Sequence, residues 1–365
     1  MENYVGNRRA VNILKRAIEQ DRLPHAIIFA GPAGTGKCTL ALLTARALNC
    51  LTPQNGDACG QCAACRRITA YIESRHKDCV KGGGAACGIC PVCRGRSRRH
   101  PDIRLIEPEK KTAISIDQIR DVIAETAFQP FEARYRVVIL DPADQMRAEA
   151  QNSLLKTLEE PPSRTVIILI ATNPYLLLET IRSRARILPF GEIPPEEIAR
   201  YLMQNEGKSE PDALLAAALS GGSLGAALEF NTAEYRDARE SALEFVELLL
   251  GRGSFTRASA IAADAAKDKD VFQTWIESAS ALLRDIYYSG VTAGRVGQRD
   301  IIEKLQALRQ KTRHPHLVRA IEAMSRLQTD LHYNVNRQIA LEALFIKSSA
   351  QKGLNTDVRH GTAPQ

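Results

Sequence analysis

The residues with the clearest chemistry form a glycine-rich run at positions 31–38, Gly-Pro-Ala-Gly-Thr-Gly-Lys-Cys. The apolar stretch Ala26–Ala30 before it predicts a buried strand, and Thr39–Leu48 after it predicts a helix. In such a strand–loop–helix unit the backbone N–H groups wrap phosphates, and the lysine supplies a positive charge. The run therefore predicts a phosphate-binding loop (P-loop) for a nucleotide, with Lys37 as its cation.

One residue of this loop departs from the usual pattern. The position after the lysine is normally Ser or Thr, because the hydroxyl group ligates Mg²⁺. Here it is Cys38, whose sulfur is a soft and weak ligand for a hard ion. We expect a site where ATP and Mg²⁺ binding is compromised and hydrolysis is lost.

The cysteines indicate a second kind of chemistry. Eight of the nine lie between residues 50 and 93, and in a chain without a secretory signal this favours metal or redox chemistry over disulfides. Cys50, Cys59, Cys62 and Cys65 offer four thiolates at ligand spacing. The spacing predicts a tetrahedral, structural zinc site without a catalytic water.

Composition limits the class of protein. The chain has 365 residues, 44% hydrophobic and 25% charged, with a formal net charge of +7 and a pI near 8.9. No run of about 18 or more uncharged apolar residues occurs, so we expect a cytoplasmic protein without a membrane partner. The mild basicity permits contact with nucleic acid without establishing it.

The elements that must position these residues alternate between strand and helix from Ala26 to about Leu188, which predicts a mostly parallel α/β sheet. Val137–Leu140 and Thr165–Ile170 are further predicted strands, and Ser115 is a helix-capping candidate. Beyond Phe190 the periodicity is helical. The predicted domains are residues 1–190 with a zinc region at 50–99, a helical lid at 191–232, a helical domain at 233–350 and a disordered tail at 351–365.

Further motifs follow the P-loop in a specific order. Asp141 ends a strand where a Walker B aspartate would hold the metal, and Asn152–Pro162 reads Asn-Ser-Leu-Leu-Lys-Thr-Leu-Glu-Glu-Pro-Pro. Asn173 stands at a sensor-1 position, and Ser183-Arg184 follows it. This succession resembles the bacterial DNA polymerase III clamp-loader family of AAA+ proteins. The resemblance implies an α/β AAA+ P-loop domain with inserted zinc modules, a small helical lid and an all-α C-terminal collar.

Three departures distinguish the branches of that family. Hydrolysing gamma/tau subunits carry Glu after the Walker B Asp to polarise water, whereas this chain has Pro142; their lid arginine is replaced by Gly225, and Cys38 is the third departure. The pattern resembles the stator-like delta-prime branch. Two alternatives remain: a short, ATP-hydrolysing gamma-type motor, and a zinc-dependent nucleic-acid-binding module of a repair complex.

The resemblance also implies roles. Arg184 would act as an arginine finger in trans on the ATP of a neighbouring motor subunit, and the chain would be part of the polymerase holoenzyme, with little or no ATPase activity of its own. The implied partners are the gamma/tau and delta subunits, the sliding clamp and primed DNA. The predicted nucleotide-binding residues are Gly31, Pro32, Ala33, Gly34, Thr35, Gly36, Lys37, Cys38, Thr39, Asp141 and Asn173.

The spacing of the first cysteine quartet repeats further along the chain. Cys79, Cys87, Cys90 and Cys93 fall within residues 66–99. Members of the family usually pass sooner to the His-Pro-Asp turn, here at residues 100–102, so this segment resembles a duplicated module with a second zinc. His76 or His100 could replace Cys79 as ligand, and free cysteines in a flexible loop are the alternative. Basic residues flank both quartets. The negative charge of a zinc–thiolate centre would favour such neighbours, and contact with DNA phosphates or an acidic partner is the other interpretation.

Overall fold

The structure, a computed structural model, describes residue 1 and residues 4–77, 100–108, 113–251, 253–291, 296–331 and 335–350. The chain divides into two compact units. The first, called the α/β unit below, comprises Met1–Glu206 with Gly221–Leu228, and the second, the helical unit, comprises Gly207–Ser220 with Glu229–Gln365. None of the described helices combines the length and apolar composition needed to cross a membrane.

The α/β unit is built on a five-stranded sheet in the order β2-β3-β4-β1-β5, in which every pair of neighbours is parallel. The central strands β1 and β4 pair from Ala26 opposite Ile167 to Ala30 opposite Ala171. Their carboxyl ends therefore lie together at one edge of the sheet. The strands are β1 Ala26–Ala30, β2 Ile103–Ile106, β3 Arg136–Leu140, β4 Thr165–Ala171 and β5 Arg186–Pro189.

Helices cover both faces of this sheet because successive strand side chains point to opposite sides. Phe29 and Ile168 pack with buried residues of α1 and α2 on one face, whereas Ile28 and Leu169 pack with those of α4 and α5 on the other. The helices of the α/β unit are α1 Arg8–Glu19, α2 Lys37–Leu48, α3 Ala63–Lys77, α4 Ile116–Thr126, α5 Ala148–Glu159, α6 Glu179–Arg182, α7 Pro195–Asn205 and α9 Leu224–Glu229.

The entry to strand β3 is fixed by a buried carboxylate. Asp102 is fully buried and accepts hydrogen bonds from the backbone N–H groups of residues 131, 132 and 133 at 2.7–2.9 Å. The guanidinium of Arg136, the first residue of β3, lies 3.2 Å from the same carboxylate. This pair holds the start of the strand whose other end carries Asp141.

The helical unit packs around two aromatic side chains. Phe245 on α10 and Trp275 on α12 are buried with their ring centroids 5.2 Å apart, and the indole N–H of Trp275 donates to Ser241. Its helices are α8 Glu210–Leu219, α10 Thr232–Leu250, α11 Phe255–Ala265, α12 Lys269–Ser289, α13 Ile302–Lys311, α14 His314–Asp330 and α15 Arg337–Ala350.

The sequence-based prediction of a mostly parallel α/β sheet followed by helices is confirmed. The predicted strands are present, and Ser115 caps α4 through a reciprocal pair of hydrogen bonds with Gln118. Strand β2 was not predicted, because it is only four residues long and includes the polar Arg104. The boundaries of a separate lid and of the collar stay predictions, and the predicted tail lies outside the described residues.

Candidate functional site

The P-loop leaves β1 and enters α2, as predicted. Gly34 and Gly36 adopt φ values of 69° and 84°, a left-handed region that suits glycine. The hydroxyl of Thr35 donates to the carbonyl of Pro32 at 2.9 Å, and the Tyr4 hydroxyl donates to the carbonyl of Thr35 at 3.0 Å. The loop is therefore folded by its own hydrogen bonds and by one contact from the N-terminal segment.

The P-loop lysine is bonded to the loop itself. The Nζ atom of Lys37 donates to the carbonyls of Gly31 at 2.7 Å and Pro32 at 2.5 Å, and only 5% of the residue is exposed. Burial lowers the pKa of Lys37, while the carboxylates of Asp141 and Asp144 act in the opposite direction. A nucleotide phosphate would have to replace these carbonyl contacts.

Residues 223–225, which fall within the predicted lid and are called the lid segment below, lie directly against the apex of the loop. The N–H of Gly225, at the start of α9, donates to the carbonyl of Gly34 at 3.0 Å. A Cβ atom added at Gly225 would come within 3.2 Å of the Gly34 Cα, and one added at Gly34 would lie 1.9 Å from the Ser223 hydroxyl oxygen. Glycine at both positions is therefore what permits this close backbone contact.

The residues that follow strands β3 and β4 are joined at the carboxyl edge of the sheet. Asp141 comes directly after β3, and the next carboxylate, Asp144, accepts hydrogen bonds from the backbone N–H groups of Thr172 and Asn173, both at 2.8 Å. The side chain of Asn173 in turn accepts from the N–H of Tyr175 at 3.0 Å. One Asp144 oxygen is thus committed to holding the turn after β4.

A cavity of about 930 Å³ opens beside the loop within the α/β unit. Its polar wall includes Thr39 of α2, and Cys59 and Gly60 of the cysteine module form another part. Most of its apolar lining was not predicted, because it comes from separate segments: Tyr4, Leu43, Ile193, Tyr201, Leu224 and Leu228. The cavity could take an apolar ring next to the P-loop.

The first cysteine quartet converges as its spacing predicts. The Sγ atoms of Cys50, Cys59, Cys62 and Cys65 all lie within 4.8 Å of one another. Sulfurs at the usual Zn–S distance of about 2.3 Å around a tetrahedral centre would be about 3.8 Å apart, so the cluster needs little contraction. Cys50 and Cys65 are fully buried. The cluster lies just beyond the end of α2, the P-loop helix.

Backbone donors already surround these sulfurs. The N–H of Cys62 points at the Cys59 sulfur at 3.4 Å, and the N–H of Cys59 points at the Cys50 sulfur at 3.2 Å. A hydrogen bond from Thr52 and backbone N–H donors lower the pKa of the Cys59 thiol to about 6, whereas burial raises the pKa of Cys65. Four soft donors with N–H groups aimed at them fit a zinc ion or a similar metal.

The second quartet, at residues 79, 87, 90 and 93, lies outside the described residues, and its zinc stays a prediction. His100 is described and buried. Its Nδ1 accepts from the N–H of Asp102 at 3.2 Å, and its Nε2 lies 3.5 Å from Glu132. Both ring nitrogens therefore already have polar neighbours.

Arg184 lies on the surface after α6. Its Nη2 atom is 2.6 Å from the Glu159 carboxylate, and its Nη1 donates to the Thr180 carbonyl at 2.9 Å. Arg182 instead lies over the ring of Tyr175, 5.2 Å from its centroid. The neighbouring arginines thus have different surroundings, and the Glu159 contact was not predicted from the sequence.

Comparison with known proteins places these features in a family. A family model described as DNA polymerase III, delta subunit, matches residues 6–80 and 74–194, together more than half of the chain. The chain belongs to this family. A relative named DNA polymerase III subunit delta' from Bacillus subtilis is 32% identical over 241 residues, which are 66% of this chain and 64% of that protein.

Other relatives carry names from both branches of the family. A DNA polymerase III subunit delta' from Pseudomonas aeruginosa is 34% identical, and the match covers 62% of this chain and 61% of that protein. The DNA polymerase III subunit tau of B. subtilis is 31% identical, and the match covers 60% of this chain and 35% of that protein. This chain therefore spans less than two thirds of the relatives. A solved gamma subunit-related protein from Thermotoga maritima, at 17% identity and a TM-score of 0.36 over 94% and 99% of the two chains, is too distant to add to this.

Proposed function

We propose that this chain is a stator-like, non-hydrolysing subunit of a bacterial DNA polymerase III clamp loader. It would help to load the sliding clamp on primed DNA, as a component of the holoenzyme in the cytoplasm. Its partners would be the gamma/tau and delta subunits, the clamp and the DNA. Support comes from family membership and from relatives named subunit delta'.

The observation that carries the non-hydrolysing role is the contact between Gly225 and the P-loop. In the motor branch this lid position would hold an arginine that reaches the phosphates. Here its backbone N–H is bonded to the Gly34 carbonyl, and a side chain would meet the loop. An arginine at residue 225 would place its Cβ 3.2 Å from the Gly34 Cα, so the lid segment or the loop would have to shift slightly to admit it.

Two further features support the same role. Pro142 stands where a water-polarising Glu would follow Asp141, and it has no titratable group. The nearest later carboxylate, Asp144, has one oxygen bonded to the turn after β4. Nucleotide binding without turnover is compatible with these features, through the loop amides, Lys37 and the adjacent cavity.

We propose zinc as the ion held by Cys50, Cys59, Cys62 and Cys65. A closed Cys₄ site supplies structural cross-linking and no reactive water. Here it would tie the end of the P-loop helix to the start of α3, since Cys50 follows α2 and Cys65 lies in α3. A second zinc at residues 79–93 extends the same proposal.

We propose that Arg184 acts in trans on ATP bound to a neighbouring motor subunit. An arginine finger stabilises the charge of the transition state and is worth on the order of 10³–10⁵ in rate. Arg184 is about one third exposed, and the structure gives it no contact with its own P-loop among the described residues. A guanidinium in that position is available to a second subunit.

ATP turnover tests this proposal. The purified chain should hydrolyse no ATP above background, whereas the complex with gamma/tau, delta, clamp and primed DNA should. Arg184→Ala should lower the rate of the complex, and Arg182→Ala and Arg186→Ala serve as matched losses of charge. Steady turnover by the isolated wild-type chain that disappears with Lys37→Ala would establish the gamma-type motor instead.

A further inference from the structure

The side chain of Arg184 is held by two separate helices. Glu159, the last residue of α5, contacts its Nη2 atom at 2.6 Å. Thr180, in α6, accepts from its Nη1 atom at 2.9 Å, and the Ser183 hydroxyl lies 3.4 Å from the same nitrogen. Anchors on both terminal nitrogens fix the plane of the guanidinium as well as its position.

The two helices that carry these anchors are themselves joined by a buried side chain. Gln151 of α5 is 4% exposed; it accepts from the N–H of Leu178 at 2.8 Å and donates to the carbonyls of Met146 and Leu176. Leu178 is the N-cap residue of α6 and directly precedes the helix. Gln151 therefore ties α5, which carries Glu159, to the start of α6, which carries Thr180.

These contacts leave donors for a ligand. A guanidinium has five N–H donors, and the contacts above engage only its two terminal nitrogens. Arg184 can therefore bind a phosphate oxygen while it keeps Glu159. A finger restrained in this way loses less side-chain entropy on engagement than an unrestrained arginine would.

We propose that Glu159 is the positioning residue for Arg184: its carboxylate holds the guanidinium in the orientation that reaches the nucleotide of the neighbouring subunit. This inference rests on the finger role proposed for Arg184. Because Glu159 and Arg184 are 49% and 35% exposed, solvent screens the pair, and it adds little to folding stability. Its effect should appear in catalysis by the assembly and not in the melting temperature of this chain.

The test uses the reconstituted complex with ATP and Mg²⁺, comparing Glu159→Ala and Glu159→Gln with Arg184→Ala. The measured quantity is the part of kcat that depends on Arg184, which is the kcat of the wild-type complex minus that of the Arg184→Ala complex. Glu159→Ala should lower it about tenfold with KM unchanged, since small misplacements of a catalytic group carry costs of this order or larger. Glu159→Gln keeps a carbonyl acceptor and should retain most of the rate. Glu160→Ala, a charge removed one residue away, should match wild type.

A second readout needs no partner. In the free chain, ¹⁵N NMR of the Arg184 side chain should show slow guanidinium rotation in wild type and in Glu160→Ala, and faster rotation in Glu159→Ala. Melting temperatures of all variants should agree closely, which would exclude a structural explanation.

The outcomes separate the two proposals. If Arg184→Ala does not change turnover, the finger role is wrong, and this inference is overturned with it. If Arg184→Ala slows turnover while Glu159→Ala does not, only the positioning role is overturned. A faster rate in Glu159→Ala would also contradict it, because Glu159 would then compete with the phosphate for Arg184.

Discussion

The contact between the lid segment and the P-loop can be tested by a double-mutant cycle of Gly34→Ala and Ser223→Ala. An alanine Cβ at Gly34 would lie 1.9 Å from the Ser223 hydroxyl oxygen, while the next atom, the Ser223 Cβ, is 3.2 Å away. Removing the hydroxyl therefore removes most of the clash. The two substitutions should destabilise the α/β unit less together than the sum of their separate effects.

The magnitudes follow from the geometry. Alanine in the left-handed conformation of Gly34 costs about 1–2 kcal/mol, and the clash adds about 1–3 kcal/mol of overpacking. Ser223→Ala alone loses the hydrogen bond that its hydroxyl accepts from the N–H of Ala226, about 1 kcal/mol. We expect a coupling free energy of about 1–2 kcal/mol that favours the double variant.

A matched control separates backbone strain from contact. Gly221, which is also in the α/β unit, has a φ of 59°, close to the 69° of Gly34, but an added Cβ there meets nothing within 4 Å. Gly221→Ala should therefore show the strain alone. Global unfolding is measured by calorimetry, because the single tryptophan, Trp275, lies in the helical unit and its fluorescence reports on that unit.

Hydrogen exchange provides a local readout. The amide of Gly225 should be protected in wild type by its bond to the Gly34 carbonyl and should exchange about fivefold faster or more in Gly34→Ala, corresponding to a loss of about 1 kcal/mol. Equal destabilisation by Gly34→Ala and Gly221→Ala, without coupling to Ser223 and with unchanged Gly225 exchange, would refute the contact.

Further results are expected for three sets of variants. Metal analysis should find two zinc ions per chain, with Cys62→Ser removing one and Cys90→Ser the other; a single ion insensitive to Cys90→Ser would contradict the duplicated module. Asp102→Asn should lower the free energy of unfolding by about 3–5 kcal/mol, because it removes the negative charge beside the buried guanidinium of Arg136, whose other partners are backbone carbonyls. Burial alone would raise the pKa of Asp102, but the backbone N–H donors and Arg136 outweigh it, so the folded-state pKa is lowered. This contribution is present above the usual carboxyl pKa near 4 and is lost as the pH falls through the folded value, so thermal melts of Asp102→Asn should depend less on pH in acid. Pro142→Glu alone should create no ATPase activity, as phosphate release by the purified variant would show.

Much of the fold could be predicted because its signals are local. Apolar runs such as Ala26–Ala30 become buried strands wherever helices cover both faces of a sheet. The capping box at Ser115 involves residues three apart, so it is visible in the sequence. Strand β2 was missed because a four-residue strand with a central arginine has almost no periodic signal.

The sequence by itself determined the chemistry that each segment can offer: a phosphate loop at Gly31–Lys37 with a cysteine after its lysine, four thiols at metal-binding spacing, and a proline where a base is expected. Only the tertiary structure decided how these groups are used. It bonds Gly225 to Gly34 across 191 residues of chain, and it seats Arg184 on Glu159. The physical reason is that such contacts depend on how the sheet and its helices pack. No local pattern in the sequence indicates which residues, far apart in the chain, will come into contact.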